Sequence, residues 1–493
     1  MDRSNLSNYW LVTSLAAMLS LAACAALPGK EPAVAESTGR AAELLPASYP
    51  EAAGPASSAE VDWREFFGDP YLAALIDAAI ANNQELNILM QEIAIARNEV
   101  DARAGEYLPF VSLGAGAGTE KVGRFTRNGA VEENLPLRDG ESFREPLPDF
   151  MLGISASWEI DIWNRLRNAK KAAVLRYLAT QEGRNFMQTH LVAEIADAYF
   201  ELLALDNSLL ILERMLEIQQ QALSVVRLQK AAARATELAV RRFEAEVLKN
   251  QSQLFEMRQQ IVEVENRLNF LAGRYPQPIE RQAADLENYA LRSVSLGQPS
   301  ELLANRPDVR QAELELAAAK LDVSVARARF YPSLDISAAL GLQTAASGTL
   351  LSAPESVFYN LAGEVMMPLF NKQAIRAAYN NATASQLQAL YRYQQIVLNA
   401  YVEVANQWAM IRNIGESHSN KSEQVAALTE SVAIADRLYR SARAEYTEVL
   451  LTQRDALESR MELVELRQQQ FSALVNMYQA LGGGYAKTVE GES

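Results

Sequence analysis

The sequence predicts an internally duplicated α+β membrane protein, with long coiled-coil helices and four transmembrane β-strands per chain. Three observations carry that expectation. Proline is missing from 149–275 and again from 369–493, and proline-free blocks of that length are rare outside long helices. Four short stretches alternate apolar and small or polar residues with a period of two, the pattern of a membrane-facing strand. Finally, the two halves match at a constant offset: Ala442-Arg443-Ala444 against Ala233-Arg234-Ala235, Leu481-Gly482 against Ala272-Gly273 and Glu403 against Glu194 all lie 209 residues apart. Such a repeat has to be read before any fold is assigned.

The elements follow in order. Arg3 precedes an apolar run from Trp10 to Leu21 that is too short to span a bilayer and reads as an export signal over 1–23. Residues 24–60 are rich in Ala, Pro, Ser and Glu, with prolines at 28, 32, 46, 50 and 55, and read as a tether. The first structural repeat is expected over 61–273, beginning with one helix across 69–106, where Leu72, Leu75, Ile76, Ala79, Leu86, Leu89 and Ile93 keep helical spacing.

After Pro109 the period becomes two. Val111, Leu113, Ala115 and Ala117 form one strand, and Leu152 through Trp158 to Ile162 another, with a charged loop between them. Two long helices follow and reverse near 230–237, with Gly183 too weak a breaker to interrupt the first. A linker at 274–300 carries Pro276, Pro278 and Pro299. The second repeat, 301–484, has strands at 333–342 and 358–365 and a second helix pair reversing near 440–446, with Gly415 the matching weak breaker. The last helix places Tyr446, Leu450, Leu457, Met461, Val464, Phe471, Val475 and Tyr478 on one face, and glycines 482–484 stop it ahead of a tail at 485–493.

Four strands cannot close a barrel, and an open sheet edge is not tolerated in lipid. Other copies must pair with the edges near Val111 and Val365, and three copies would supply twelve strands. Glu159, Asp161, Asp335 and Glu364 fall on the polar faces and are expected to line or border the interior.

The composition excludes several functions. A formal net charge of −15 argues against a nucleic-acid partner. Cys24 is the only cysteine, so a disulfide within the chain, a cysteine-based metal site and a thiol enzyme are all excluded. His190 and His418 are the only histidines and stand in no nucleophile or metal spacing. Gly114-Ala115-Gly116-Ala117-Gly118 opens no helix and is no phosphate loop. No enzymatic activity, cofactor or metal is therefore expected.

Several motifs, in this order, carry a family resemblance. They are Leu21-Ala22-Ala23-Cys24, Trp63-Arg64-Glu65-Phe66-Phe67, Tyr107-Leu108-Pro109, Ser157-Trp158-Glu159-Ile160-Asp161-Ile162-Trp163, Asn305-Arg306-Pro307-Asp308-Val309-Arg310, Phe330-Tyr331-Pro332-Ser333, Pro368-Leu369-Phe370-Asn371 and Ala480-Leu481-Gly482-Gly483-Gly484. The chain resembles the outer-membrane efflux channel-tunnel (TolC-like) family over nearly all of its mature length. Within it, the lipoprotein subgroup that serves resistance–nodulation–division pumps is most similar.

The resemblance implies a homotrimer with a twelve-stranded barrel in the outer membrane and a helical tunnel into the periplasm. It also implies a periplasmic adaptor and an inner-membrane pump as partners, and a lipid on Cys24. It places a periplasmic gate at the helix reversals, with Thr447, Glu448 and Leu451 at the constriction and Arg440, Arg443 and Glu237 linking helices. Adaptor docking falls on Ala233, Arg234, Ala235, Ala442, Arg443 and Ala444. The sequence departs from the family at Lys372-Gln373, at Ala442, and at Leu451, where a second acid is usual. The alternative from another class is a lipid-anchored periplasmic coiled-coil scaffold without a pore.

Overall fold

The computed structural model describes residues 45–46, 48–49, 57–138, 140–142, 145–281, 286, 289, 294–441 and 443–485. The expected signal peptide, Cys24, most of the tether, Ala442 and all but the first residue of the tail lie outside them. The helices are α1 (Trp63–Phe67), α2 (Pro70–Asn82), α3 (Gln84–Glu106), α4 (Arg127–Asn134), α5 (Arg165–Ala231), α6 (Glu237–Leu271), α7 (Glu301–Asn305), α8 (Pro307–Ala328), α9 (Gln373–Arg440) and α10 (Tyr446–Ala480). The four long strands are β1 (Phe110–Glu120), β2 (Leu147–Glu159), β3 (Ser333–Thr344) and β4 (Val357–Met366). Among the described residues, no helix is long and apolar enough to cross a membrane.

Helix bounds repeat the sequence offset. The first helix of each long pair ends at Ala231 and Arg440, and the second spans Glu237–Leu271 and Tyr446–Ala480, each 209 residues apart. Gly183 and Gly415 lie inside α5 and α9 without breaking them. The expected single helix over 69–106 is two helices, because Asn83 breaks it. Its backbone is extended, and its Oδ1 accepts from the amides of Glu85 (2.9 Å) and Leu86 (3.1 Å), capping α3.

The chain divides into two compact units. One comprises, among the described residues, Ile95–Tyr177 and Leu314–Ala389. Its sheet is antiparallel in the order β1-β2-β3-β4, so the two repeats meet at the β2–β3 pair. Small residues pair across the polar face, as where the hydroxyls of Ser112 and Ser155 share a hydrogen bond of 2.8 Å. The apolar face is exposed: Leu113 at 75 %, Tyr359 at 82 % and Leu361 at 77 %. β1 and β4 are the edge strands, as expected from Val111 and Val365. Between β1 and β2 the charged loop contains α4, capped by Thr126, and a small hairpin of Pro136–Arg138 and Glu141–Ser142.

The other unit holds 45–94, Leu178–Glu313 and Leu390 onward. Its core joins α2, α5, α6 and α10 through Leu72, Ile76, Tyr199, Phe200, Leu268 and Tyr478. Phe200 stacks on Phe471 with centroids 4.5 Å apart, and removing such a ring costs about 3–5 kcal/mol. Two equivalent anchors show the duplication in packing. Asn83 Nδ2 donates to the carbonyl of Leu271 (2.9 Å), and Arg306 Nη1 to that of Ala480 (2.8 Å). Beside them Gly273 (φ 65°) and Gly482 (φ 90°) adopt left-handed backbone. A Cβ there would lie 2.3 Å from the Asn82 carbonyl oxygen and 2.4 Å from that of Asn305. Glycine is thus required twice, for conformation and for close approach.

Part of the expected linker is fixed to this unit. Arg281 pairs with Asp206 and Glu265, and Arg467 donates to the carbonyls of Leu286 (3.2 Å) and Tyr289 (2.7 Å).

Candidate functional site

The sheet brings three of the four expected lumen acids together. Register places Glu159 opposite Asp335, and Asp335 opposite Glu364. Directly opposed residues share a face, so three carboxylates form one row across three strands. Like charges so placed repel. Arg165, at the start of α5, relieves one of them, with Nε 3.2 Å from Glu159 Oε1, and the Ser333 hydroxyl donates to Asp335 at 3.0 Å.

Asp161 corrects the sequence expectation. β2 ends at Glu159, so Ile160, Asp161 and Ile162 lie beyond the strand. Asp161 is buried, and its carboxylate accepts from the amides of Leu166 (3.1 Å) and Arg167 (2.9 Å) at the start of α5. The first amides of a helix have no partner of their own, and a carboxylate placed there satisfies them. The turn is fixed by Trp163, whose indole donates to the carbonyl of Pro332 (2.8 Å) while its ring stacks on Tyr331 at 4.6 Å.

In the other unit the two reversals close alike. Arg234 N donates to the Gln229 carbonyl (2.8 Å), and Arg443 N to that of Leu438 (2.9 Å), both across five residues. Ala233 takes the left-handed conformation (φ 58°) that glycine usually supplies in such a helix ending. Thr236 caps α6 by accepting from Ala239 N at 3.2 Å. Arg234 is exposed, while Ala235 and Ala444 are half-buried.

Within one chain, Glu237 and Arg440 take ionic partners other than each other. Glu237 is held by Lys230 and Arg241 of its own hairpin, and Arg440 pairs with Asp436 one turn earlier at 2.9 Å. These neighbours lie on the same helix or across the same turn, so they meet at the lowest entropic cost. The paired cations hold the Glu237 carboxyl below the usual glutamate value, Lys230 first and Arg241 second. Arg443 is exposed, Thr447 is half-buried, and Glu448 and Leu451 are both exposed on one face of α10.

One link was not read from the sequence. The Tyr439 hydroxyl, on α9, donates to Gln229 Oε1, on α5, at 2.6 Å and ties the two hairpins together within two residues of the helix ends. Burial pushes the Tyr439 hydroxyl above its ordinary pKa, and the Gln229 bond opposes this only in part. It therefore stays a donor throughout the physiological range.

The model of the outer membrane efflux protein family matches residues 75–274 and 298–483, one segment in each repeat. The chain belongs to this family.

Relatives of similar strength surround this efflux protein. The cation efflux system protein CusC of Escherichia coli is 26 % identical over 423 residues, covering 86 % of this chain and 88 % of that one. The pyoverdine export outer membrane protein OpmQ of Pseudomonas aeruginosa is 28 % identical over 441 residues, covering 89 % and 91 %. The toluene efflux pump outer membrane protein TtgI of Pseudomonas putida is 28 % identical over 426 residues, covering 86 % and 87 %. Among solved structures, CusC superposes with a TM-score of 0.79 at 24 % identity, covering 93 % of this chain and all of that one. The outer-membrane channel OprN gives 0.80 at 23 %, covering 93 % and 98 %. The fold of this efflux protein is therefore that of the channel-tunnels. The capping pair Asn83 and Arg306 and the Tyr439–Gln229 bond escaped the sequence reading, because each joins segments more than 150 residues apart.

Proposed function

We propose that three copies of this outer-membrane efflux protein close a twelve-stranded barrel and a helical tunnel. Through it, drugs, other small toxic compounds or metal ions pass unchanged from an inner-membrane resistance–nodulation–division pump and a periplasmic adaptor to the exterior. The carrying observation is the four-stranded sheet, apolar and exposed on one face, with β1 and β4 as its edges. Strand edges in lipid need partners, and a second copy offers β4 to β1. A pore-less periplasmic scaffold would have no use for that face.

Glu159, Asp335 and Glu364 then give the barrel a ring of carboxylates that favours cations in the lumen. The reversals form the periplasmic tip, where Glu448 makes a three-carboxylate ring, Leu451 an apolar collar, and Thr447 borders them. Tyr439–Gln229, with the hairpin pairs Lys230–Glu237 and Asp436–Arg440, holds the tip together, and Arg443 stands at its surface. The adaptor docks on Ala233, Arg234 and Ala235 and on Ala442, Arg443 and Ala444, where small residues allow close helix approach. Cys24 carries the lipid anchor.

The relatives' cargo names differ, from cations to pyoverdine to toluene, at nearly equal identity. Cargo is thus set by the pump that feeds the channel. The test is the mass of the detergent-extracted protein by light scattering together with its conductance in planar bilayers. A trimer that conducts is expected. A monodisperse monomer with full β-content, or a trimer without conductance, refutes the reading.

A further inference from the structure

At one end of the sheet β2 runs into α5, α8 into β3 and β4 into α9. These three connections enclose a cavity of about 460 Å³, within the range of small-molecule sites. Its lining has an apolar part and a charged part. Ile162 (51 % exposed) and Trp163 (45 %) present surface that the chain leaves uncovered, beside half-buried Tyr331 and Met367. Of the charged groups, Glu159 and Arg165 pair with each other, and buried Asp161 is held by the amides of Leu166 and Arg167. Arg329, just past the end of α8, is exposed, and among the described residues its guanidinium has no ionic or hydrogen-bonded partner. Its charge is therefore what the cavity has left to offer a ligand. The level of the cavity is set by the sheet. The exposed apolar face continues to Val365 at this end, and Trp163 and Tyr331 lie just beyond the strands. Tryptophan and tyrosine collect at the headgroup level of a bilayer.

We propose that this cavity holds the head of a phospholipid from the periplasmic leaflet. Its phosphodiester accepts from the Arg329 guanidinium, whose planar fork matches two phosphate oxygens. Its acyl chains start across Ile162 and Trp163 and run on along the apolar face of the sheet. One negative charge on the lipid answers the one cation that the chain leaves unpaired. The inference rests on the reading that this sheet stands in the outer membrane. A free phosphate ester shares the head chemistry but leaves the apolar part of the lining uncovered, so the two sources are separable.

The test uses the full-length protein, freed of lipid in a neutral detergent and then offered one of three probes. These are phosphatidylglycerol, diacylglycerol with the same chains, and glycerol 3-phosphate. Native mass spectrometry counts the molecules retained per chain. One tightly held phosphatidylglycerol per chain is expected, with diacylglycerol and glycerol 3-phosphate each retained at least fivefold less. Arg329→Gln should lower phosphatidylglycerol retention at least fivefold. Arg124→Gln, the same loss of charge in the loop between β1 and β2 at the other end of the sheet, should leave it unchanged. Diacylglycerol held as well as phosphatidylglycerol, glycerol 3-phosphate held as well by itself, or retention unaltered in Arg329→Gln overturns the proposal. The three-probe comparison needs no variant, so a misfolded mutant does not blunt it. Retention is read without conductance. A trimer that conducts yet keeps no phosphatidylglycerol loses this site alone, whereas a protein that does not insert into bilayers loses both readings.

Discussion

Tyr439→Phe tests the proposed gate most directly. The substitution keeps the ring and removes only the hydroxyl that donates to Gln229 Oε1 at 2.6 Å. Both residues are half-buried, and a neutral hydrogen bond of this kind is worth about 1 kcal/mol net. Three protomers opening together would lose about 3 kcal/mol, and at about 1.4 kcal/mol per decade the open-to-closed ratio rises on the order of 100-fold. If the protomers open independently, each gains only about fivefold. The measurement is single-channel open probability at low voltage in planar bilayers, with the melting temperature as a control for global damage. Brief, rare openings in the parent should become frequent in the variant. An open probability within twofold of the parent, in a trimer that melts normally, would refute the assignment of this bond to the gate.

Four further outcomes are expected. Glu237 titrates below the ordinary glutamate value of 4.5 because Lys230 and Arg241 favour its charged form. A depressed carboxylate stabilises above the unfolded pKa and loses that contribution as pH falls through the folded one. Amide protection over 230–241, taken relative to the intrinsic exchange rate at each pH, should therefore fall only as the pH drops below the ordinary glutamate range, and Glu237→Gln should flatten that dependence. Asp161→Ala removes the α5 cap and should cost about 1–2 kcal/mol in thermal or denaturant unfolding without altering ion selectivity. The triple change Glu159→Gln, Asp335→Asn, Glu364→Gln should do the reverse, lowering the cation preference in reversal-potential recordings with little loss of stability. Gly482→Ala must place a Cβ 2.4 Å from the Asn305 carbonyl at φ 90° and should destabilise by more than about 1 kcal/mol. A melting curve unchanged from the parent would contradict that.

By itself the sequence determined the duplication, the four strands and the two reversals. All three are local properties. Period two and period 3.6 are written in neighbouring residues, and the offset of 209 needs only Ala233-Arg234-Ala235 to meet its copy at 442–444. The sequence also placed Glu159, Asp335 and Glu364 on polar faces, because a face follows from strand parity alone. Their adjacency is another matter. It depends on register, and register between β2 and β3 joins segments more than 150 residues apart through backbone bonds that no side-chain pattern declares. Asp161 has the parity of a lumen residue, yet the helix amides of Leu166 and Arg167 claim its carboxylate. Asn83 looks like one polar position in a long helix, but the carbonyl of Leu271 and the cap of α3 turn it into a break. Glu237 and Arg440 carry complementary charge, and only the folded chain shows that each is satisfied by its own hairpin or helix. Periodicity specifies what an element exposes. Which distant element meets it is decided by the tertiary fold, where burial and hydrogen-bond demand are settled among all candidates at once.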